Sequence, residues 1–464
     1  MSKTGKRHQT GTPEAAEFSW PRMLRLSSFQ IGSAMGDILV TSIWNRVMIS
    51  NFGMPAWPIG MLIALRYFLS PLSLWAGHRS DTTKLFGFYR TSYIWFGRGM
   101  MVMSLPFLVL SLQRLEGQTT DVLGWVYAII CFAFYGVGTL LSGSPFLALV
   151  RDSAPKVNQG FAISVAETVL IIFFAISGIS FSYWMEEYDP AIFRQMVIVT
   201  MLIGGFFWCV GIWGIENQSI PPAEKDLYLQ AKERIRFTPT LKKIWADRRT
   251  RLFFLFLSTG TLAAWMQDVI LEPFGADVLE VSMQQTTRYN SYWQTATVIT
   301  LIGGAAYWRK RAPEEQKGIA GWGLLIMALG MGILAADSFI GGAQLVIIAL
   351  LVFGAGFGIY TFGGLSLMAV MSSDKESGAY LGLWTISILI FKGLGNFLGS
   401  VLRDVFLGVG LSAEIAYGAT FAMATVGLVA SVIILSRIDI VGFARDHGRY
   451  KTSPEEVQAA GVEL

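Results

Sequence analysis

The sequence predicts an all-α integral membrane protein of about twelve transmembrane helices, arranged as two pseudo-symmetric six-helix halves. Three observations support this prediction. The 464 residues are 53% hydrophobic and 15% charged, more apolar surface than a water-soluble domain can shield from solvent. Twelve apolar runs are each long enough to cross a hydrocarbon core of roughly 30 Å. A shift of 222 positions aligns the two halves of the chain at polar and glycine positions.

The apolar runs define the predicted crossings and the segments between them. The runs cover residues 27–49, 57–77, 91–112, 122–150, 161–185, 193–215, 252–271, 283–308, 318–336, 343–371, 378–407 and 413–436. They divide the chain into an N-terminal tail (1–26), a first half (27–215), a central linker (216–251), a second half (252–436) and a C-terminal tail (437–464). Because the segment up to Arg25 is polar, we expect no cleavable signal peptide.

Lysine and arginine are distributed unevenly over the loops. They occur before the first run, after the second, fourth, eighth and tenth, and throughout the central linker. Loops on the other side of the bundle carry acids such as Glu186, Glu187 and Asp189. The positive-inside rule therefore predicts that both termini lie in the cytoplasm.

The central linker is where the composition changes. Pro221 and Pro222 indicate an extended connection at its start. From Glu224 to Trp245 charged residues alternate with Leu, Tyr, Ile and Trp, a pattern open to two interpretations. It is either a basic helix lying on anionic lipid or a solvated connection between the halves.

The internal repeat determines the predicted architecture. The segment from Trp44 to Gly53 aligns with the segment from Met266 to Gly275. The same shift pairs the following residues: Arg66 with Arg288, Tyr67 with Tyr289, Gly136 with Gly358 and Asp152 with Asp374. A parallel repeat of six helices is the arrangement of the major facilitator fold, in which the binding cavity lies between the halves near the bilayer midplane.

Ionisable residues inside the apolar runs are costly to place in a bilayer, so they are candidates for function. They are Asp37, Arg46, Arg66, Glu167, Asp268, Glu272, Arg288 and Lys392. Glu167 and Lys392 lie several residues from the ends of their runs. Either they contact a substrate or relay protons, or they form a buried pair that joins the halves. The others, apart from Asp37, lie nearer the outer face, where snorkelling or an interfacial ion network is the alternative to binding.

Signatures of common enzyme chemistry are missing from the sequence. It contains no phosphate-binding glycine loop, no paired-histidine helix and no cysteine cluster. The three histidines, His8, His78 and His447, lie outside the deep parts of the runs. We therefore predict a protein that is not an enzyme and holds no structural metal.

A glycine and an acid flank the loop after the second run. The motif consists of Gly77, His78, Arg79, Ser80 and Asp81, followed by Lys84 and Arg90. It is similar to the loop between helices 2 and 3 of the major facilitator superfamily, which braces the cytoplasmic gate in transporters. Here the basic residues are displaced and the loop is longer.

Two further blocks resemble one family within this superfamily. The first is Asn45-Arg46-Val47-Met48, followed by Pro-Ala-Trp; the second runs from Asp268 to Gly275 and includes Glu272 and Pro273. Together with the Gly77–Asp81 loop, they resemble the PucC/LhaA group. The resemblance implies a light-harvesting complex assembly protein of a bacterial cytoplasmic or intracytoplasmic photosynthetic membrane. It implies transient bacteriochlorophyll binding and antenna polypeptides as partners, with the reaction-centre complex as a further partner.

This resemblance raises the question of which group would ligate the chlorin magnesium. A fifth ligand is needed, commonly histidine in stable antenna sites, and the runs offer no histidine at depth. The remaining oxygen ligands are Asn45, Gln267, Asn290, Gln294, Glu167 and Asn396. We predict a loosely held pigment in a groove lined by Trp265, Tyr289, Tyr292, Trp293 and Trp384. In the alternative, these aromatics only pack or form the interfacial belt. The alternative function is a proton-coupled transporter of a small organic solute or pigment precursor.

Overall fold

A computed structural model describes residues 18–155, 158–216, 245–308, 313–342, 345–372 and 377–446. Within these ranges the regular elements are helices, and β-structure is limited to an isolated bridge between Leu85 and Phe88. Nine helices in the described ranges are long and apolar enough to cross a membrane. The predicted first, seventh and eighth crossings are also helical, but each is divided into shorter pieces.

We number the crossings α1 to α12. In the first half, α1 spans 29–51, α2 Ala56–Thr82, α3 Thr91–Leu115, α4 Val122–Asp152, α5 Gln159–Trp184 and α6 Pro190–Ile212. In the second half, α7 comprises Arg248–Trp265 and Leu271–Asp277, and α8 comprises Met283–Thr287 and Tyr289–Trp308. The last four are α9 Pro313–Ile340, α10 Val346–Val370, α11 Ser377–Gly408 and α12 Ala413–Ser436. Short helices Trp20–Ser27 and Ile440–Asp446 flank the bundle.

The first crossing of each half is irregular at corresponding positions. In α1 the hydrogen bonding is π-helical over Ile38–Ile43 and Val47–Asn51. In α7 the helix stops at Trp265 and resumes at Leu271. The expectation of one continuous α7 over 252–271 is therefore wrong. π-Turns and interrupted helices free backbone groups for other contacts and occur frequently at functional sites.

Glycines permit close packing within each half. At Gly136 on α4 a Cβ would lie 3.0 Å from the Cβ of Arg66 on α2. Its repeat partner Gly358 on α10 faces the backbone of Thr297 on α8 in the same manner. The repeat is thus visible as equivalent helix pairs, and these two glycines act in packing.

The halves pack together mainly over one part of the bundle. We call the end where α1 begins and α12 ends the termini end, and the opposite end the far end. Gly60 and Tyr67 of α2 pack against Ser400 and Gly393 of α11 in the far and middle parts. Toward the termini end α2 instead turns to its own half, where Ser73 hydrogen-bonds Ser144 of α4 at 2.7 Å. At this end, therefore, the hydrogen bond described for α2 is made within its own half. The predicted helix over 224–245 lies almost wholly outside the described residues.

Candidate functional site

A charged cluster lies in the middle of the first half. Arg66 donates to Asp37 at 2.8 Å, and the Tyr135 hydroxyl donates to the same Asp37 oxygen at 2.8 Å. Arg66 also donates to the Tyr67 hydroxyl at 2.6 Å. The side chains of Arg66 and Asp37 are 14% and 23% exposed, so the pair is shielded and its attraction is strong.

The second half contributes an acid and a base to the same region. The Asn396 amide donates to Asp268 at 3.0 Å. The Lys392 ammonium lies 3.2 Å from the centroid of the Trp265 ring and 4.9 Å from that of Tyr67. Both Lys392 and Arg66 are near enough to Asp268 to interact with its charge. Two acids and two bases therefore balance one another where the halves meet.

This arrangement changes two expectations from the sequence. The sequence predicts Arg66 and Asp268 nearer the outer face, but they belong to the central cluster, because their partners project from neighbouring helices. One of the two alternatives for Lys392 and Glu167 is a buried pair that joins the halves. Lys392 stacks on aromatic rings instead, and Glu167 is absent from the described hydrogen bonds and ion pairs.

The two family-like blocks meet across the halves in a second cluster. Ser42 donates to the Glu272 carboxylate at 2.6 Å, and Asn290 donates to the same oxygen at 2.5 Å. The Trp293 indole N–H donates to the oxygen of Asn290 at 2.9 Å. Asn45 donates to the Val269 carbonyl at 2.9 Å. That carbonyl lies in the break of α7, which explains how α7 can offer a backbone acceptor to α1.

The remaining arginines among the candidates make mostly neutral contacts. Arg46 is 5% exposed and donates to the Asn51 side chain at 3.1 Å. Arg288 donates to Ser182 at 2.8 Å and lies 4.5 Å over the Tyr183 ring. Thus the repeat-related residues Arg66 and Arg288 have different roles. One pairs with a carboxylate, and the other joins α8 to α5.

Other buried polar residues were missed by the sequence reasoning. Arg98 of α3 is 6% exposed and lies 4.4 Å from the Phe29 ring and 5.2 Å from that of Trp208. Its position inside the third apolar run was the available signal. Tyr135 gave no signal, because an uncharged tyrosine in an apolar run is common.

A cavity of about 650 Å³ lies at the far end between the end of α1, the start of α2 and α11. Arg403 at its wall donates to Asp277 at 2.9 Å and to Asp404 at 2.8 Å. The Trp57 backbone N–H also donates to Asp404 at 2.8 Å. These contacts hold α2, α7 and α11 together at this end. The sequence reasoning did not select Asp277 or Arg403.

The Gly77–Asp81 motif is helical, so the prediction that it lies in a loop is wrong: it forms the last turns of α2. It is joined to the rest of the first half. Arg90 donates to Asp81 at 3.0 Å and also pairs with Asp152 at the end of α4. His78 and Arg79 are exposed. The described ion pairs of Arg90 thus brace three helices of the same half.

Glu216, just after α6, completes this brace. Its carboxylate accepts hydrogen bonds from the backbone N–H groups of Tyr89 at 2.6 Å and Thr91 at 2.8 Å, at the start of α3. Burial raises the pKa of Glu216, but these hydrogen bonds outweigh it, so the pKa lies below its usual value.

A carboxylate with a lowered pKa stabilises the folded state above its unfolded-state pKa, and this stability is lost as the pH falls through the folded-state pKa. We therefore expect the melting temperature of the detergent-solubilised protein to fall more steeply on acidification below about pH 4.5 than that of Glu216→Gln. Differential scanning fluorimetry over a pH series measures both. Parallel curves for the two proteins would contradict this role of Glu216.

The predicted aromatic groove is partly assembled. The Trp265 and Trp293 rings lie 6.1 Å apart, and both contact Phe357. Trp384 is fully buried against Phe253 nearer the termini end, and Tyr289 is 2% exposed. A single groove that includes Trp384 and Tyr289 is therefore wrong, because both rings are used in packing.

The fold defines the class of this protein. It is similar to the nucleoside transporter NupG, with a TM-score of 0.66 and 13% identity over 90% of this chain and 100% of that chain. It is also similar to a bacterial homologue of the human lysosomal transporter Spinster in an inward-facing conformation, with a TM-score of 0.61 and 15% identity over 94% and 100%. The chain is therefore a multi-pass membrane protein with the major facilitator fold.

The particular family follows from the sequence comparison. The family described as PUCC protein matches residues 43–443, and this chain belongs to that family. Protein PucC of Rhodovulum sulfidophilum is 27% identical over 410 residues, covering 84% of this chain and 87% of that protein. The bacteriochlorophyll synthase 44.5 kDa chain of Rhodobacter capsulatus is 25% identical over 441 residues, covering 92% and 97%. The resemblance predicted from the motifs is thus confirmed.

Proposed function

We propose that this protein is an assembly factor for bacterial light-harvesting antenna complexes. In this role it delivers bacteriochlorophyll to antenna polypeptides in the cytoplasmic or intracytoplasmic membrane, without a catalytic cycle of its own. Membership of the PucC family supports a role in antenna assembly, and a relative named for bacteriochlorophyll synthesis supports pigment as the cargo. The reaction-centre complex is a further proposed partner.

The observation that carries this proposal is the contact between the two family-like blocks. Ser42 of α1 and Asn290 of α8 share one oxygen of Glu272, and Asn45 caps the broken end of α7. Asn45 and Glu272 of these blocks therefore take part in the contacts that join α1 to α7 across the halves. Contacts of this kind at the far end favour a protein whose two halves stay joined there and move apart at the termini end.

A deletion strain tests the proposal. We expect absorption spectra of its membranes to lose antenna bands while reaction-centre bands and total extractable bacteriochlorophyll remain. Complementation with the wild-type gene should restore the antenna bands. A strain with intact antenna bands, or one that loses pigment synthesis altogether, would contradict the proposal.

Proton-coupled transport is a second candidate, favoured by one observation. Glu167 lies in the termini-side half of α5, is half-buried and makes no ion pair among the described residues. An unpaired carboxyl in a transmembrane helix is a common feature of proton relays. This alternative predicts solute uptake into proteoliposomes that responds to a pH gradient and is lost in Glu167→Gln.

A further inference from the structure

We propose that Glu167 supplies the oxygen that ligates the magnesium of bacteriochlorophyll, in the opening between α5 and α8 on the termini side of the bundle. This inference rests on the proposed function. It assigns one residue to pigment binding and one route of access between the halves.

The helical register places Glu167 on the face of α5 that looks toward the second half. Residues at spacings of 4 and 7 share one face of a helix, so Glu167 follows the same stripe as Gly178 and Ser182. A Cβ on Gly178 would lie 2.5 Å from the Ser291 hydroxyl, and Ser182 accepts a hydrogen bond from Arg288 at 2.8 Å. Both contacts are with α8. Glu167 lies about three turns from Gly178 toward the termini end.

The contacts described between α5 and α8 lie farther from the termini end than Glu167, at Ala175, Gly178 and Ser182. Glu167 is half-buried, whereas Ala162 and Ala166, one turn or less away, are fully buried in their own half. Its carboxyl makes no hydrogen bond or ion pair with any residue that the structure describes. An unpaired carboxyl at this depth is costly, and a cargo that carries a metal ion would offset that cost.

The other oxygen ligands suggested by the sequence are mostly enclosed. Asn45 and Asn396 are 0% exposed, Gln267 is 1% exposed, and Asn290 is held between Glu272 and Trp293. A flat macrocycle cannot reach such atoms unless packed helices part. Gln294 of α8 is half-buried and remains accessible, so it is the alternative to Glu167 as the magnesium ligand.

The chemistry favours the carboxylate over the amide. Magnesium is a hard cation that prefers oxygen ligands, carboxylates among them. A single magnesium ligand from one helix also suits a protein that must release its bacteriochlorophyll. Release requires one Mg–O bond to break while the acceptor's ligand binds, without any change in oxidation state.

The experiment compares two pigments on the purified full-length protein. Bacteriochlorophyll a and its magnesium-free form, bacteriopheophytin a, are titrated in detergent, and binding is followed by quenching of tryptophan fluorescence. We expect Glu167→Leu to weaken bacteriochlorophyll binding by about tenfold or more and to leave bacteriopheophytin binding unchanged. Gln294→Leu is the matched control on the facing helix and should leave both affinities unchanged.

Glu167→His guards against misfolding, since imidazole restores a magnesium ligand at the same position. It should recover the affinity for bacteriochlorophyll and shift the Raman bands that report magnesium coordination. A loss in Gln294→Leu with none in Glu167→Leu would assign the ligand to α8 and overturn the inference. Equal losses for both pigments in Glu167→Leu would also overturn it, because metal ligation would not be involved. The antenna bands of the deletion strain test the proposed function separately.

Discussion

Arg66→Met is expected to lower the free energy of unfolding by about 3–5 kcal/mol. Among the described hydrogen bonds, the substitution leaves the Asp37 carboxylate in the middle of the bundle with the Tyr135 hydroxyl as its one close partner. Removing one partner of a buried ion pair destabilises a protein far more than replacing both partners by apolar residues. Titration with SDS in mixed micelles, followed by circular dichroism, measures the loss.

The internal repeat supplies the control for this prediction. Arg288→Met removes the repeat-related arginine, whose partners are the neutral Ser182 and the Tyr183 ring. We expect a smaller loss there, about 1.5 kcal/mol. The double variant Asp37→Asn/Arg66→Met should recover part of the stability lost in Arg66→Met. If the loss in the double variant equals the sum of the losses in Asp37→Asn and Arg66→Met, the two residues are not coupled.

Glu272→Leu is expected to weaken the join between the halves. One oxygen of Glu272 accepts hydrogen bonds from both Ser42 and Asn290, and leucine would remove this acceptor from the buried Ser42 hydroxyl and the half-buried Asn290 amide. Each such donor costs about 1–3 kcal/mol. Thermal unfolding of the purified variant, and its abundance in membranes, measure the effect.

Glu272→Gln distinguishes the role of the acceptor oxygen from the role of the negative charge. Glutamine keeps a carbonyl oxygen at the position that Ser42 and Asn290 approach, so we expect it to retain most of the wild-type stability. A Gln variant as unstable as the Leu variant would show that the negative charge itself is required. In the deletion strain, the Gln variant should restore antenna bands and the Leu variant should restore fewer.

Much of the fold could be predicted, because bilayer thickness fixes the length of each apolar run and a duplicated sequence fixes the symmetry. The break in α7 could not be located. Residues 266–270 contain no glycine or proline to mark a break, and the break is stabilised from outside, by Asn45 on the Val269 carbonyl.

The site was predictable at the level of residue type. Seven of the eight ionisable candidates make polar or cation–π contacts, but their partners did not follow from the sequence. Asp37, Arg66 and Tyr135 come from three different helices, and such pairings depend on rotation of each helix about its axis. Glu167 stood out in the sequence for its depth, whereas its lack of a partner became visible only in the packed bundle.

The sequence by itself determined the membrane class, the number of crossings, the duplication and the family. Each of these depends on local composition or on short motifs that can be recognised without knowing which residues are in contact. The tertiary structure decided which charges neutralise one another, where the halves join and which oxygen ligands stay accessible. These properties depend on the distance between side chains that are far apart in the chain, and that distance is set by helix packing.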